Sequence, residues 1–235
     1  MTKPIKPNYN RLSVRELIIY LIVFFLGIAY VVYDYGSEVR QKANNVLQLA
    51  QSVESSLPLS ELEHLEINPA NFSGKNFPLL RSALQKIIKA TPHARFAYVY
   101  VQSEENLYFL ADSEPETSPE YSPSGQKFTE VDPVDKLPFS TKKAQVTEPV
   151  TDRWGTWVSA EVPILDPQTG KVIAVFGMDY NANSWRMSIL FYVFQSVVFV
   201  VIIFILILLI RRGKEKNVQL EEEICRSGKT EDVLR

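Results

Sequence analysis

Cysteine and histidine are scarce in this sequence of 235 residues. The single cysteine, Cys225, cannot form a disulfide bond within the chain, so packing alone must hold the fold together. The two histidines, His64 and His93, lie far apart in the sequence and have no neighbouring thiols. We therefore expect neither a metal site nor another cofactor.

The sequence also lacks an excess of positive charge. Lys and Arg number 25 and Asp and Glu number 27, which gives a formal net charge of −2 at pH 7 and a pI of about 5.8. Proteins bind nucleic acids through clustered Lys and Arg side chains that neutralise phosphates. Nucleic acid is therefore not an expected partner.

Familiar catalytic motifs are missing as well. The sequence contains no G-x-S-x-G nucleophile turn, no paired-histidine zinc motif and no Cys/His nucleophile pair. An anchored extracytoplasmic enzyme is thus disfavoured. We expect no catalytic residues and no enzymatic activity in these 235 residues.

Two long runs without charged residues, 17–33 and 187–210, stand out in what is present. As helices they would be about 26 and 36 Å long, which is comparable with the ~30 Å hydrocarbon core of a bilayer. A cleaved signal peptide is the alternative for the first run. However, its apolar core is longer than usual and no A-x-A cleavage site follows, so we expect an uncleaved anchor.

Basic residues flank the outer ends of both runs. They are Lys3, Lys6, Arg11 and Arg15 before the first run, and Arg211, Arg212, Lys214 and Lys216 after the second. Because such residues favour the cytoplasmic side, both termini are predicted in the cytoplasm. The predicted segments are a cytoplasmic tail (1–16), a transmembrane helix (17–35), an extracytoplasmic domain (36–186), a second transmembrane helix (187–210) and a cytoplasmic helical linker (211–235).

The extracytoplasmic segment is predicted to begin with a long helix over residues 37–57. Ser37 is a suitable N-cap, and apolar residues follow it at steps of 4, 3, 4, 3 and 4. They are Val39, Ala43, Val46, Ala50, Val53 and Leu57. This seam fits either a homodimer that pairs through the helix and the transmembrane segments, or packing on the domain's own sheet. Residues 77–90 predict a second helix.

Alternating side chains predict β-strands in the remainder of the domain. The predicted strands are 95–101, 106–112, 145–150, a first hairpin strand through 157–164, and a returning strand at 172–180. Asp166, Pro167 and Gly170 supply turn chemistry between the last two. The long Pro-rich segment 113–143 is typical of a binding loop or lid. This order predicts an α+β fold in which an antiparallel sheet of about five strands packs against helices.

Several of these segments resemble the extracytoplasmic Cache sensor domain, also called PDC or PAS-like. They are FAYVY (96–100), LADSEP (110–115), YSPSGQ (121–126), TDRWGTWVSAEVPILDPQTGKVIAVFGMDY (151–180) and Trp185 before the second apolar run. The resemblance covers roughly residues 34–210 and is most specific in the hairpin. It implies a PAS-like five-stranded sheet with a long N-terminal helix and a small-molecule pocket between the sheet and the long loop.

Domains of this family form the sensing part of bacterial sensor histidine kinases, diguanylate cyclases and chemoreceptors. The resemblance therefore implies signal transduction, as in two-component systems, at the inner membrane, with a periplasmic sensor domain. Ligand-induced motion would pass through the second transmembrane helix to a cytoplasmic kinase or cyclase that is not among these residues. A membrane scaffold without a small-molecule ligand is the alternative.

The candidate ligand-binding residues lie on the strands and next to the long loop. They are Tyr98, Tyr100, Asp112, Tyr121, Arg153, Trp154, Trp157 and Asp179. Asp179 ends an apolar strand, and it fits either a structural cap or, as the resemblance implies, the acceptor of a ligand amine. Arg153 fits a ligand carboxylate or a surface ion pair. An organic acid, an amino acid and an amine all remain open as ligands.

Overall fold

The structure is a computed structural model that describes residues 13–62, 68–91 and 93–233. Most of the predicted cytoplasmic tail and His64 lie outside the described residues. The chain forms two compact units. The sheet unit consists of Glu38–Ile189, and the helix-pair unit consists of Met1–Ser37 and Leu190–Arg235.

Five α-helices occur in the described part of the chain. They are α1 (Val14–Glu54), α2 (Pro69–Phe72), α3 (Pro78–Ala90), α4 (Leu137–Thr141) and α5 (Ala182–Val233), with 3-10 turns at Leu59–Glu61 and Pro133–Lys136. Helix α1 continues through Ser37, so the predicted N-cap at Ser37 is wrong. The neighbouring Gly36 costs a helix only about 1 kcal/mol. Without a proline nearby, that cost does not stop the helix.

The sheet contains seven strands, and every neighbouring pair is antiparallel. They are β1 (Ala94–Ser103), β2 (Asn106–Asp112), β3 (Lys127–Phe128), β4 (Gln145–Val146), β5 (Val150–Asp152), β6 (Gly155–Leu165) and β7 (Val172–Asn181). Their order is β3-β2-β1-β7-β6-β4, with β5 also paired to β6. The predicted α+β class is confirmed. The count exceeds five because the predicted third strand divides into β4 and β5 and the long loop contributes β3.

The β6–β7 hairpin turns as its sequence indicates. The amide of Gly170 donates to the carbonyl of Asp166 at 2.8 Å, and Gly170 has a φ of +62°. The Asp166 carboxylate accepts from the amides of Gln168 and Thr169. Glycine adopts this positive φ without steric cost, so the turn closes without strain.

The two faces of the sheet differ in what they bury. On one face, Val158, Ala160, Val162 and Ile164 of β6 are all buried, as their alternation predicts. On the other face, Tyr100, Phe109 and Val175 form an apolar cluster with Phe128 and Phe139 from the segment 113–143. The long predicted loop therefore covers one face of the sheet as an ordered layer.

The apolar seam of α1 is partly buried within the chain. Ala50 is buried, and so is Leu57, which lies just beyond the end of α1, whereas the other four seam residues are half-buried. Packing inside the sheet unit thus accounts for two seam positions, as one of the two alternatives expects. Pairing of two chains through the earlier positions stays a prediction.

In the helix-pair unit, the apolar parts of α1 and α5 pack side by side. A Cβ atom at Gly27 would lie 2.6 Å from Cγ1 of Val200, so a larger residue there would force one of the two helices or the Val200 side chain to shift. The Ser196 hydroxyl donates to the Asp34 carboxylate at 2.5 Å. Both helices are long and apolar enough to cross a membrane, with 18-residue windows of mean hydropathy 2.3 and 3.3.

We predict opposite effects for Gly27→Ala and Gly213→Ala. Alanine favours a helix over glycine by about 1 kcal/mol, and no atom lies within 4 Å of a Cβ at Gly213, so Gly213→Ala should raise thermal stability. At Gly27 the methyl group meets Val200, and overpacking costs about 1–3 kcal/mol. Thermal unfolding of the full chain in detergent, followed by circular dichroism, measures both. Equal gains would contradict the close packing at Gly27.

Candidate functional site

A pocket lies between the sheet and the segment 113–143. Its lining residues are Phe96, Tyr98, Phe109, Asp112, Glu120, Ser122, Phe128, Asp152, Trp154 and Asp179. Five of these ten residues are aromatic, four are carboxylates and none is basic. We call this site the aromatic–acidic pocket. Its cavity volume is about 30 Å³, which is room for one or two water molecules and too small for a larger ligand.

Tyr98 and Asp179 meet because of the register between β1 and β7. Tyr98 lies directly opposite Gly177, and a Cβ atom at Gly177 would lie 2.4 Å from Cε2 of Tyr98. The glycine therefore lets the tyrosine ring lie flat across β7. The Tyr98 hydroxyl then donates to Oδ1 of Asp179, two residues further along the strand, at 2.9 Å.

Asp179 is a buried carboxylate with no ion pair among the described residues. Burial raises its pKa to about 7, although the hydrogen bonds with Ser159 and Tyr98 act in the opposite direction. An Asp179 without a cation is thus partly protonated near neutral pH. A bound cation would favour its ionised form.

The other pocket carboxylates already have protein partners. Asp152 accepts hydrogen bonds from the amides of Trp154 and Gly155 and from the Trp157 indole, at 2.8, 3.0 and 3.1 Å. Asp112 accepts from the amides of Glu114 and Ser122. Burial raises the pKa of Asp112 to about 6. Asp112 and Asp152 thus act as turn caps bonded by backbone amides, whereas the hydrogen bonds to Asp179 come from the side-chain hydroxyls of Tyr98 and Ser159. Asp179 is therefore the candidate carboxylate for a ligand.

Two arginines hold the loop wall of the pocket. Arg95 of β1 pairs with Glu114 at 2.5 Å and with Glu120. Arg81 of α3 pairs with Glu116 at 2.5 Å, and its guanidinium lies 5.0 Å from the centre of the Tyr121 ring. The loop carrying Glu120 is thus tied both to the sheet and to a helix.

Four of the eight predicted site residues line the pocket, namely Tyr98, Asp112, Trp154 and Asp179. The other four lie elsewhere. The Tyr121 ring contacts Arg81, and Arg153 forms an ion pair with Glu130 at 3.0 Å. The Trp157 indole donates a hydrogen bond to Asp152, and Tyr100 is buried beneath the long loop. Of the lining residues not predicted, Phe96 shares the strand face of Tyr98 and could have been found by alternation. The other five lie on the long loop, on β2 or at the end of β5, where no pattern singled out these particular residues.

Tyr100 belongs to a buried polar cluster centred on Glu161, which is 1% exposed. The Tyr100 hydroxyl donates to Oε1 of Glu161 at 3.0 Å, and Gln145 donates to Oε2 at 2.7 Å. The single proton of the Tyr100 hydroxyl is shared with the carbonyl of Asp135, which lies 2.9 Å away, and the second amide hydrogen of Gln145 goes to the carbonyl of Val134. This cluster therefore ties the long loop to the sheet. Burial raises the pKa of Glu161 to about 8 and that of Asp135 to about 6.

Stability should therefore fall as pH rises through the neutral range. The pKa of Glu161 is raised in the folded state, so its contribution is complete below the unfolded-state pKa and is lost as pH rises through about 8. Asp179 and Asp135, whose pKa values are raised to about 7 and 6, act in the same direction. Glu161 has the highest of these pKa values, so the variant Glu161→Gln removes the largest contribution to the pH dependence of stability.

Melting curves between pH 5 and pH 9 measure this effect. The loss of melting temperature between the two ends should be smaller in Glu161→Gln by several degrees, since one pKa unit is about 1.4 kcal/mol and 1 kcal/mol is about 2–4 °C. Glu148→Gln, at an exposed position, serves as the control and should follow the wild type. Parallel pH profiles for all three proteins would show that Glu161 is ionised in the folded state.

Solved structures with a similar arrangement include the ligand-binding domain of the Campylobacter jejuni chemoreceptor Tlp3 in complex with L-valine. It is 14% identical with a TM-score of 0.46, and the match covers 74% of this chain and 65% of that one. The periplasmic sensory domain of Campylobacter jejuni chemoreceptor Tlp1 is 14% identical with a TM-score of 0.39, covering 65% and 58%. The periplasmic domain of RsbU from Chlamydia trachomatis is 16% identical with a TM-score of 0.34, covering 68% and 56%.

Two of these structures are chemoreceptor domains, a class that the sequence resemblance names, and this chain spans less than two thirds of the length of each of the three. No protein-family model and no curated protein matches the chain. With identities of 14–16% and TM-scores below 0.5, the similarities assign neither a ligand nor pocket residues. Function has to be inferred from the residues of this chain.

Proposed function

We propose that this chain is a membrane-anchored sensory module whose domain at 36–186 binds a small molecule carrying a cationic amine. The observation that carries the proposal is Asp179, a buried carboxylate without an ion pair among the described residues, in a pocket with four carboxylates and no basic lining residue. Buried charges are normally paired, so a cationic ligand would supply the missing partner.

The aromatic lining supports the same class of ligand. Tyr98, Phe109, Phe128 and Trp154 surround the carboxylates, and aromatic faces attract ammonium groups by about 0.5–2 kcal/mol each. An organic acid would meet three aspartates and Glu120, which is already paired with Arg95, and is disfavoured. A free amino acid fits less well than a simple amine, because its carboxylate would find no lysine or arginine among the described lining residues.

Binding requires the pocket to open, since its present volume holds only water. The ligand would favour a minor open state in which the loop wall or the Trp154 side chain moves away from the sheet. The energy available for signalling is the difference in ligand affinity between the two states, of the order of 1–3 kcal/mol.

The link between pocket and membrane is the continuity of β7 with α5. Asn181, the last residue of β7, caps α5 by accepting from the amides of Asn183 and Ser184 at 3.0 and 3.1 Å. Asp179 therefore lies three residues before the first residue of α5. A displacement of β7 by ligand would be passed into the helix that contains the second apolar run.

The remaining parts of the proposal concern topology and output. We infer that 17–35 and 187–210 cross the inner membrane, that 1–16 and 211–235 are cytoplasmic and that 36–186 is periplasmic. Two chains would pair through the early part of the α1 seam and the transmembrane helices. The output would be a cytoplasmic histidine kinase or diguanylate cyclase activity, and this chain itself would have no catalytic role.

A scaffold that binds no small molecule is the second candidate. The small volume of the pocket favours it, as do the turn-capping roles of Asp112 and Asp152. In that case Asp179 and Tyr98 would serve only to align β1 with β7. The two candidates differ in whether any ligand stabilises the protein.

We predict that amines raise the melting temperature of the full chain in detergent and that Asp179→Asn removes this effect. Asparagine resembles the protonated aspartate, so the variant should fold. The panel comprises putrescine, spermidine, choline, neutral amino acids and dicarboxylic acids. Calorimetric titration of any hit should show at least a tenfold weaker Kd in Asp179→Asn, because the charged partner is lost.

Glu148→Gln provides the matched control, since it removes a carboxylate at an exposed position. It should bind a hit as tightly as the wild type does. Gly177→Ala should also weaken binding, because it displaces the Tyr98 ring from Asp179. If no member of the panel stabilises the wild type, the scaffold is favoured; if a dicarboxylic acid stabilises it instead, the amine assignment is wrong.

A further inference from the structure

A second cleft in the sheet unit differs from the aromatic–acidic pocket in the residue types that line it. It lies between α1, the connection from α3 to β1, the end of β7 and the first turns of α5. Its volume is about 770 Å³, which is in the usual range of ligand sites. None of the fourteen described residues that line it is acidic, whereas Lys42, His93 and Arg95 are basic. We call it the basic cleft.

Lys42 is the cation in the cleft that has no acidic partner among the described residues. Its ammonium donates to the carbonyl of Trp185 at 3.3 Å and to the Ser188 hydroxyl, and it lies 4.6 Å from the centre of the Trp185 ring. Arg95, in contrast, is paired with Glu114 and Glu120. Lys42 is therefore a half-buried charge held by neutral oxygens and an aromatic face.

Tyr180 supplies an independent observation that points to a missing partner. Its side chain lines the cleft and is 94% buried, and its hydroxyl has no hydrogen-bond partner among the described residues. Buried hydroxyl groups in proteins are nearly always bonded, and an unpaired one costs about 1–3 kcal/mol. This hydroxyl is closed off from solvent, so the Tyr180 side chain must turn toward the cleft before an acceptor there can satisfy it. A negatively charged acceptor would also pair with Lys42.

We propose that the basic cleft binds a phosphate group through Lys42 and Tyr180. A phosphate offers several acceptor oxygens, which suits donors that come from different elements. The cleft also has apolar walls, including Val46 and Trp185, and its α5 residues lie at the start of the apolar run 187–210. These features suit a phosphate carried by an anionic lipid at the membrane surface, and a soluble phosphate has the same chemistry. The proposal is independent of the amine site.

Native mass spectrometry of the full chain in detergent tests the site with three probes. They are dihexanoyl phosphatidylglycerol, which is anionic, dihexanoyl phosphatidylcholine, which is zwitterionic with the same acyl chains, and inorganic phosphate. We expect one phosphatidylglycerol per chain, bound at least tenfold more tightly than phosphatidylcholine, and at least a tenfold loss in Lys42→Met. Binding of inorganic phosphate that is lost in the same variant would instead identify a soluble source.

Three further variants separate the site from general attraction to charge. Lys42→Arg keeps the cation and should retain binding, whereas Tyr180→Phe removes one buried oxygen and should weaken binding severalfold. Lys89→Met removes an exposed lysine that does not line the cleft, and it should bind like the wild type. If neither phosphatidylglycerol nor phosphate binding changes in Lys42→Met or Tyr180→Phe, the proposal is overturned. If Lys42→Met does not fold, Tyr180→Phe compared with Lys89→Met decides the same question.

Discussion

The central strand β7 is the constraint on which the rest of the sheet unit depends. It pairs with β1 on one side and β6 on the other, and its last residue caps α5. A strand held along both edges cannot shift alone, so any movement of β7 must involve its neighbours or the helix that follows it. The position of Asp179 near the end of this strand places a titratable group where such movement would be transmitted.

Glycine at position 177 shows how the same strand shapes the pocket. A side chain there would occupy the space of the Tyr98 ring, and without that ring Asp179 would lose a hydrogen-bond donor. The cost of burying Asp179 is offset in part by this contact and by Ser159. The absence of a side chain at Gly177 therefore makes room for the Tyr98 ring, and that ring positions the carboxylate of Asp179 on the same face of the strand.

The hairpin and the first two strands could be predicted because their information is local. Period-2 alternation and the Asp166 turn place β6 and β7 within a few residues of their observed bounds, and β2 was predicted at its observed bounds, 106–112. The cap signal at Ser37 was also local, but it was weaker than the tendency of a helix to propagate once formed. Alternation and turn residues thus predict a strand or hairpin correctly where no adjacent helix extends into the same residues.

The pocket was predicted only in part because half of its wall comes from tertiary contacts. Glu120 and Ser122 reach the sheet through ion pairs of the loop and a hydrogen bond to Asp112, and nothing in their own sequence indicates this. Arg153 has the geometry for a ligand carboxylate, yet Glu130, 23 residues away, takes that contact. Which of several suitable partners an arginine meets depends on the folded chain.

The pleat of β7 places adjacent residues in the pocket and in the cleft. Adjacent residues of a strand point to opposite faces, so Asp179 lines the aromatic–acidic pocket while Tyr180 lines the basic cleft. A cation on one side and an anion on the other would each act on the same two-residue segment, just before α5. By thermodynamic linkage, if one ligand changed the affinity for the other, the effect would be reciprocal. Under the two proposals, β7 would respond both to an amine bound in the pocket and to a phosphate bound in the cleft.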